Sequence, residues 1–159
     1  LKQVLHELDF EYCPIDVELT ESSLIENEQL ALSVIQQFSQ LGAQIHLDDF
    51  GTGYANLCYL NELDLDVIKI DKSFIKEIKE VDQYIPMLES IIHLSGLLGL
   101  RMVAEGVEYG YQQQWLGKNN VDYLQGYQFL PPVMFDDFMR FYKQSVGLFE
   151  SASDSPLST

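Results

Sequence analysis

The chain has 159 residues, enough to bury a sizeable core, and 47% hydrophobic with 12% aromatic residues excludes a disordered polymer. Nine basic against 25 acidic residues give a formal charge of −16, which repels polyanions and argues against duplex nucleic acid as a partner. Any attraction for a phosphate-bearing ligand must then be local, from a bound cation or a buried lysine. No apolar run reaches the roughly 18–20 residues that span a bilayer, so a soluble, cytoplasmic chain is expected. Cys13 and Cys58 are expected to be reduced packing residues.

The predicted elements alternate. Residues 1–10 read as an amphipathic helix without the continuous apolar core of a signal peptide. Residues 15–20 (IDVELT) read as a strand. Residues 27–41 carry Leu30, Leu32, Val34, Ile35, Phe38 and Leu41 on one helical face, which Gly42 ends. Residues 44–48 form a second strand, followed by the glycine-rich loop FGTGY and a short helix over 55–63. A third strand spans 67–70, a helix 85–98, a fourth strand 101–105, a helix 112–118 and a fifth strand 123–129. After Pro131 and Pro132 a last helix covers 135–144, and the small, polar residues 147–159 are expected to be a disordered tail. Trp115 and the aromatic residues near the C-terminus are expected to face the core, and His6, His46 and His93 to be packing or surface residues.

Strands alternating with crossover helices predict a parallel α/β sheet. It could be an open doubly wound sheet or roughly five-eighths of a TIM-type barrel. The first strand lacks a glycine-rich phosphate fingerprint, which weakens the dinucleotide-fold reading. Buried parallel strands should be almost wholly apolar, yet each of these ends on a polar residue: Glu18, Asp48, Lys69, Glu105 and Gln125. A single strand-end carboxylate is usually a cap or a surface group. Recurrence on five successive strands is hard to assign to packing, and in a barrel these ends converge on one rim. Glu18, Asp48 and Asp49 are hard oxygen donors suited to Mg²⁺ or Mn²⁺. Neighbouring carboxylates cannot share one strand face, so Asp48 and Asp49 must splay where the strand meets the loop. Lys69 would offset their mutual repulsion, and Glu105 would take a proton from an attacking water.

Glu18-Leu19-Thr20-Glu21-Ser22, Leu47-Asp48-Asp49-Phe50-Gly51-Thr52-Gly53-Tyr54, Ile68-Lys69-Ile70-Asp71, Ala104-Glu105-Gly106-Val107-Glu108 and Gln125-Gly126-Tyr127 together resemble the EAL-domain cyclic-di-GMP phosphodiesterases of bacteria. The intervals agree: 30 residues from Glu18 to Asp48, 20 from Asp49 to Lys69, 36 to Glu105 and 20 to Gln125. The resemblance implies a TIM-like barrel, here incomplete, over residues 1–146. It implies hydrolysis of cyclic di-GMP to pGpG with Mg²⁺ or Mn²⁺. Glu18, Asp48 and Asp49 would be metal ligands, with Lys69 and Glu105 catalytic and Gln125 holding the ligand. Glu21, Gly51, Thr52 and Gly53 would shape the loop that couples metal binding to dimerisation, and Glu108 and Asp71 would support the site from behind. A homodimer and an upstream sensor or regulatory domain, in a parent protein that could be membrane-attached, follow from the same likeness. The Glu-Ala-Leu strand, its following Arg and an Asn-bearing strand are absent, and Leu130 precedes Pro131 where the family usually has a basic residue. The chain is therefore expected to be truncated upstream of Leu1 and inactive or very weak alone. The alternative expectation is a module that binds cyclic di-GMP without cleaving it.

Overall fold

The computed structural model describes residues 2–7, 10, 13–26, 28–52, 60 and 63–153. The chain forms two compact units, Leu1–Gln128 and Phe129–Thr159. In the first, β1 (Val17–Thr20), β2 (Ile45–Phe50), β3 (Val67–Ile70), β4 (Arg101–Glu105) and β5 (Tyr123–Gln125) make one sheet. The strands lie in sequence order β1-β2-β3-β4-β5, and every pair is parallel. Among the described residues, the helices of this unit include α1 (Lys2–Glu7), α2 (Glu21–Glu26), α3 (Glu28–Ser39), α4 (Lys72–Ile75), α5 (Pro86–Leu97) and α6 (Gly110–Lys118). Sequential order with helical crossovers is the arrangement of a TIM-type barrel wall, because each right-handed βαβ unit places the next strand beside the last. The open-sheet alternative would reverse strand order at a switch point, and this sheet does not.

The core explains why the order holds. Ile45 and Leu47 of β2, Val67, Ile68 and Ile70 of β3, and Leu88, Trp115 and Leu116 of the covering helices are almost fully buried. Each such aliphatic side chain contributes about 1.5–3 kcal/mol relative to exposure. At the N-terminal ends of the strands, loop aspartates pin the sheet. Asp66 accepts the Ile45 N–H at 2.8 Å, and Asp122 accepts that of Met102 at 2.8 Å. Trp115 faces the core as predicted, with its indole N–H donating to the Gln83 carbonyl at 2.8 Å. Cys13 is a buried free thiol, while Cys58 and most of the predicted 55–63 helix lie outside the described residues.

Several boundaries differ from the sequence reading. β2 runs on to Phe50, so Asp48 and Asp49 lie inside the strand and not in the loop. β1 begins at Val17 and β5 ends at Gln125, both shorter than predicted. The single turns α2 and α4 carry too little periodicity to be read in advance. In the second unit, α7 (Phe135–Ser153) extends past the predicted end at 144 into the segment expected to be a tail. The expectation that the C-terminal aromatic residues face the core is corrected. Phe135, Phe138, Phe141 and Tyr142 are exposed on α7, with Phe138 and Tyr142 stacked at 6.2 Å. Their spacing of three and four makes one helical stripe, which defines a face without supplying anything to cover it.

Candidate active site

The polar strand ends meet around one lysine. Lys69 stands in the middle of β3, all four residues of which are buried. Its Nζ lies 2.8 Å from Glu18 Oε1 on β1, 3.2 Å from Asp48 Oδ1 on β2 and 2.9 Å from Glu105 Oε1 on β4. Residues from four strands are thus joined by one ammonium group, whose three hydrogens match three acceptors. Burial by itself would lower the pKa of Lys69. The hydrogen bonds to Glu105, Glu18 and Asp48, with the charge of Glu105, outweigh it and hold the group above its ordinary value.

A register fault brings the two adjacent aspartates to the same rim. Leu47 pairs with Ile68 and Phe50 with Ile70, so Asp48 and Asp49 together stand opposite the single residue Lys69. This two-against-one arrangement is a β-bulge, rare between parallel strands, and it breaks the alternation that would send the second side chain to the other face. Asp49 takes φ = 57°, the left-handed region that an Asp tolerates better than most side chains. Its N–H donates to Asp48 Oδ1 at 3.0 Å, and its carbonyl accepts the Thr52 hydroxyl at 2.8 Å. As a result Asp48, Asp49 and Glu105 each offer a carboxylate oxygen within 4.8 Å of the other two. Three hard oxygen donors at that spacing fit a divalent cation of the Mg²⁺ or Mn²⁺ kind. Glu18 joins this group through Lys69, and its side chain is 51% exposed.

The loop behind the aspartates is held by Glu21. This carboxylate is 2% exposed, and its Oε2 accepts the Gly51 N–H at 3.0 Å. Gly51 has φ = 90°, and a Cβ there would lie 2.8 Å from Phe74 Cζ, so glycine is required on both counts. Thr52 closes the turn onto Asp49, and Gly53 lies outside the described residues. Gln125 stands beside Glu105 in register and lines, with Glu108, a cleft at the sheet's edge. Asp71 is drawn elsewhere: it caps α4, accepting the Ser73 N–H at 2.9 Å. Sequence reasoning missed Gln112, which is buried and bonded to the backbone on either side of that cleft. A glutamine in the first turn of a helix reads as a solvated residue, and only its spacing four residues after Glu108 hints otherwise.

Parallel strands in barrel order, with a carboxylate-rich rim closed around a lysine, have the arrangement of a (β/α)-barrel wall whose rim carries oxygen donors suited to a divalent cation. The family model described as EAL domain matches residues 2–132, and the chain belongs to that family. It is 52% identical over 144 residues, 91% of its length, to the cyclic di-GMP phosphodiesterase PdeR of Escherichia coli K12, of which it covers 22%. It is 34% identical over 90% of its length to the cyclic di-GMP phosphodiesterase NbdA of Pseudomonas aeruginosa, of which it covers 19%. Among solved structures, the PaMucR phosphodiesterase in complex with c-di-GMP superposes with a TM-score of 0.78 at 33% identity, over 86% of this chain and 56% of that one. A manganese/c-di-GMP complex of Klebsiella pneumoniae BlrP1 gives a TM-score of 0.63 at 29% identity, over 70% of this chain and 28% of that one. The chain therefore spans about a fifth of the length of these curated relatives. Among the described residues, no helix is long and apolar enough to cross a membrane.

Proposed function

We propose that this chain carries most of the active site of a metal-dependent phosphodiesterase that hydrolyses cyclic di-GMP to pGpG in bacterial second-messenger signalling. The observation that carries the reading is the joining of Glu18, Asp48 and Glu105 on Lys69, beside a bulge that turns Asp49 to the same rim. Relatives named as cyclic di-GMP phosphodiesterases, and a solved relative holding c-di-GMP, support the substrate. A manganese complex of another relative supports Mg²⁺ or Mn²⁺ as cofactor. The same reading includes a cytoplasmic setting, a homodimer and an upstream regulatory domain in the full-length protein.

Asp48 and Asp49 would hold the metal, with Glu18 completing the oxygen donors. A divalent cation held by these residues would supply a water of lowered pKa and neutralise charge on the scissile phosphate. Glu105 accepts the proton of the attacking water. The water oxygen bonds to phosphorus, and the bond from phosphorus to the ribose O3′ breaks. That oxygen takes a proton from solvent to leave as the 3′-hydroxyl of pGpG, while Glu105 returns its proton to solvent. Lys69 fixes Glu105 and Glu18 in place and lends positive charge to the phosphate oxygens. Gln125, adjacent to Glu105, contacts the ligand. Glu21, Gly51, Thr52 and Gly53 keep the loop in the shape that presents Asp49.

The test is chromatographic. The full-length protein containing this chain, given cyclic di-GMP and Mg²⁺ or Mn²⁺, should form pGpG. Glu105→Gln should lower kcat by at least about 10²-fold, within the usual contribution of a general base. Tight binding of cyclic di-GMP with no pGpG from the unmutated protein would replace this reading with a binding module.

A further inference from the structure

Glu105 is the last residue of β4, and the ladder to β3 ends one residue before it, with Ala104 opposite Ile70. Its partner in register is Gln125, in the three-residue strand β5. Directly beyond it the chain turns at Gly106, where φ is 69°. A residue at the end of a strand moves with the loop that follows unless something else holds that loop. Yet the Glu105 carboxylate stands 2.9 Å from Lys69 Nζ, on the side where the ladder has stopped.

The hold on that side comes from the first turn of α6. Gln112 is 2% exposed, and its Oε1 accepts the Glu108 N–H at 2.8 Å and the Tyr109 N–H at 3.0 Å. Its Nε2 donates to the Ile75 carbonyl, 37 residues back, at 3.1 Å. The first two bonds belong to the N-terminal cap of a helix. The third does not: it crosses from the loop after Glu105 to the end of α4, the turn that follows the strand of Lys69. Asp71 fixes that turn in place by accepting the Ser73 N–H at 2.9 Å. Gly106 packs against the same turn so closely that a Cβ there would stand 2.6 Å from Lys72 Cβ. On the far side, the Val107 N–H donates to the Gln125 carbonyl at 3.0 Å, and its carbonyl accepts the Gln128 N–H at 2.9 Å. The segment after Glu105 is thus tied to both neighbouring strand exits, and Gln112 makes the tie toward Lys69.

Capping alone does not call for an amide here. A glutamate at this point of a helix accepts the same two N–H groups and gains from the helix dipole. What the glutamate lacks is the donor that the buried Ile75 carbonyl receives. We infer that Gln112 is a positioning residue for the hydrolysis: by joining the backbone after Glu105 to the backbone after Lys69, it sets where the Glu105 carboxylate stands relative to Lys69 and the attacking water. All three of its bonds go to backbone, so its effect on the reaction runs through Glu105. The inference rests on the phosphodiesterase reading and deepens it.

The experiment follows pGpG formation from cyclic di-GMP and Mn²⁺ by the full-length protein containing this chain. Gln112→Glu keeps the cap and removes the bond to Ile75. Its kcat should fall about tenfold with KM within about threefold, because a misplaced base costs rate and not binding. Gln112→Met, which introduces no charge, should lose about as much. Asp122→Ala is the control: it frees the Met102 N–H at the opposite end of β4, held at 2.8 Å, and should lower the urea midpoint while leaving kcat unchanged. In a Glu105→Gln background, Gln112→Glu should change kcat by less than about twofold, since residues that act as a unit are not additive. Full kcat in either Gln112 variant, or the same tenfold loss on top of Glu105→Gln, overturns the inference and leaves the phosphodiesterase reading standing. An equal fall in kcat for Asp122→Ala overturns it as well, because general loosening of β4 would then suffice. No pGpG from the unmutated protein overturns the phosphodiesterase reading, and the inference with it.

Discussion

Two lysines of this molecule make ion pairs of similar length and opposite character. Lys69 is buried to 8% exposure and meets three carboxylates at 2.8–3.2 Å from three other strands. Lys118, at the end of α6, meets Asp82 at 2.6 Å with both side chains more than half exposed. Distance alone would rank the second pair higher. Burial and connectivity reverse that order: water already solvates Lys118 and Asp82 well, whereas Lys69 is shielded from water and its charge is compensated by the three carboxylates. Polar groups placed in a sheet interior carry a desolvation cost that those at a helix end escape.

The sharpest way to test that contrast is Lys69→Met, which keeps the stem and removes the charge. Three converging carboxylates are left without their counter-ion. Breaking a fully buried pair costs about 3–5 kcal/mol, and partial solvation of these carboxylates brings the expected loss to about 2–3 kcal/mol. Urea denaturation of both proteins measures it. The pH dependence follows from the raised pKa of Lys69. A group whose pKa is higher folded than unfolded stabilises fully below its unfolded value, about 10.4, and the contribution disappears as pH rises through the folded value. The gap between the two proteins should therefore be level from neutral pH to about pH 10 and shrink above it. A gap below about 0.5 kcal/mol at pH 7 would place Lys69 with the surface pairs.

Next in size is Gly51→Ala, which strikes the loop behind the aspartates without touching a charge. The left-handed φ of 90° costs about 1–2 kcal/mol for an L side chain, and the contact at 2.8 Å to Phe74 adds about 1 kcal/mol or more. The expected loss is about 2–3 kcal/mol in urea, together with weaker Mn²⁺ binding as Asp49 shifts. Unchanged Mn²⁺ affinity at reduced stability would show that the loop and the aspartates are not coupled.

How far these features are legible in advance depends on their range. The alternation of strands with helices and the five polar strand ends can be read directly, because a polar residue closing an apolar strand breaks a pattern only two residues long, whereas the choice of barrel over open sheet comes only with the family resemblance. The bulge at Asp48 and Asp49 cannot, since two residues standing opposite Lys69 is a property of pairing between strands. Asp71 shares the alternation of Lys69 yet turns to cap α4, because the strand stops at Ile70. Gln112 is silent in sequence, its three partners being backbone atoms near positions 75 and 108. The aromatic stripe of α7 announces an apolar face, and spacing says nothing of what meets it.

The smallest effect closes the comparison from the other side. Lys118→Ala removes a short, well-aligned pair whose ends are 56% and 86% exposed. Side-chain entropy and solvation offset most of the Coulomb gain, so the expected loss is about 0.2–1 kcal/mol, falling toward zero in 1 M salt. Lys69→Met should keep most of its effect in the same salt, because ions screen a half-solvated surface pair more than a buried hub. Parallel urea titrations at low and high salt put the two lysines on one scale. Equal losses, or equal sensitivity to salt, would mean that the strand-end cluster is an ordinary surface network; a large, salt-resistant loss at Lys69 alone marks it as the electrostatic centre on which Glu18, Asp48 and Glu105 depend.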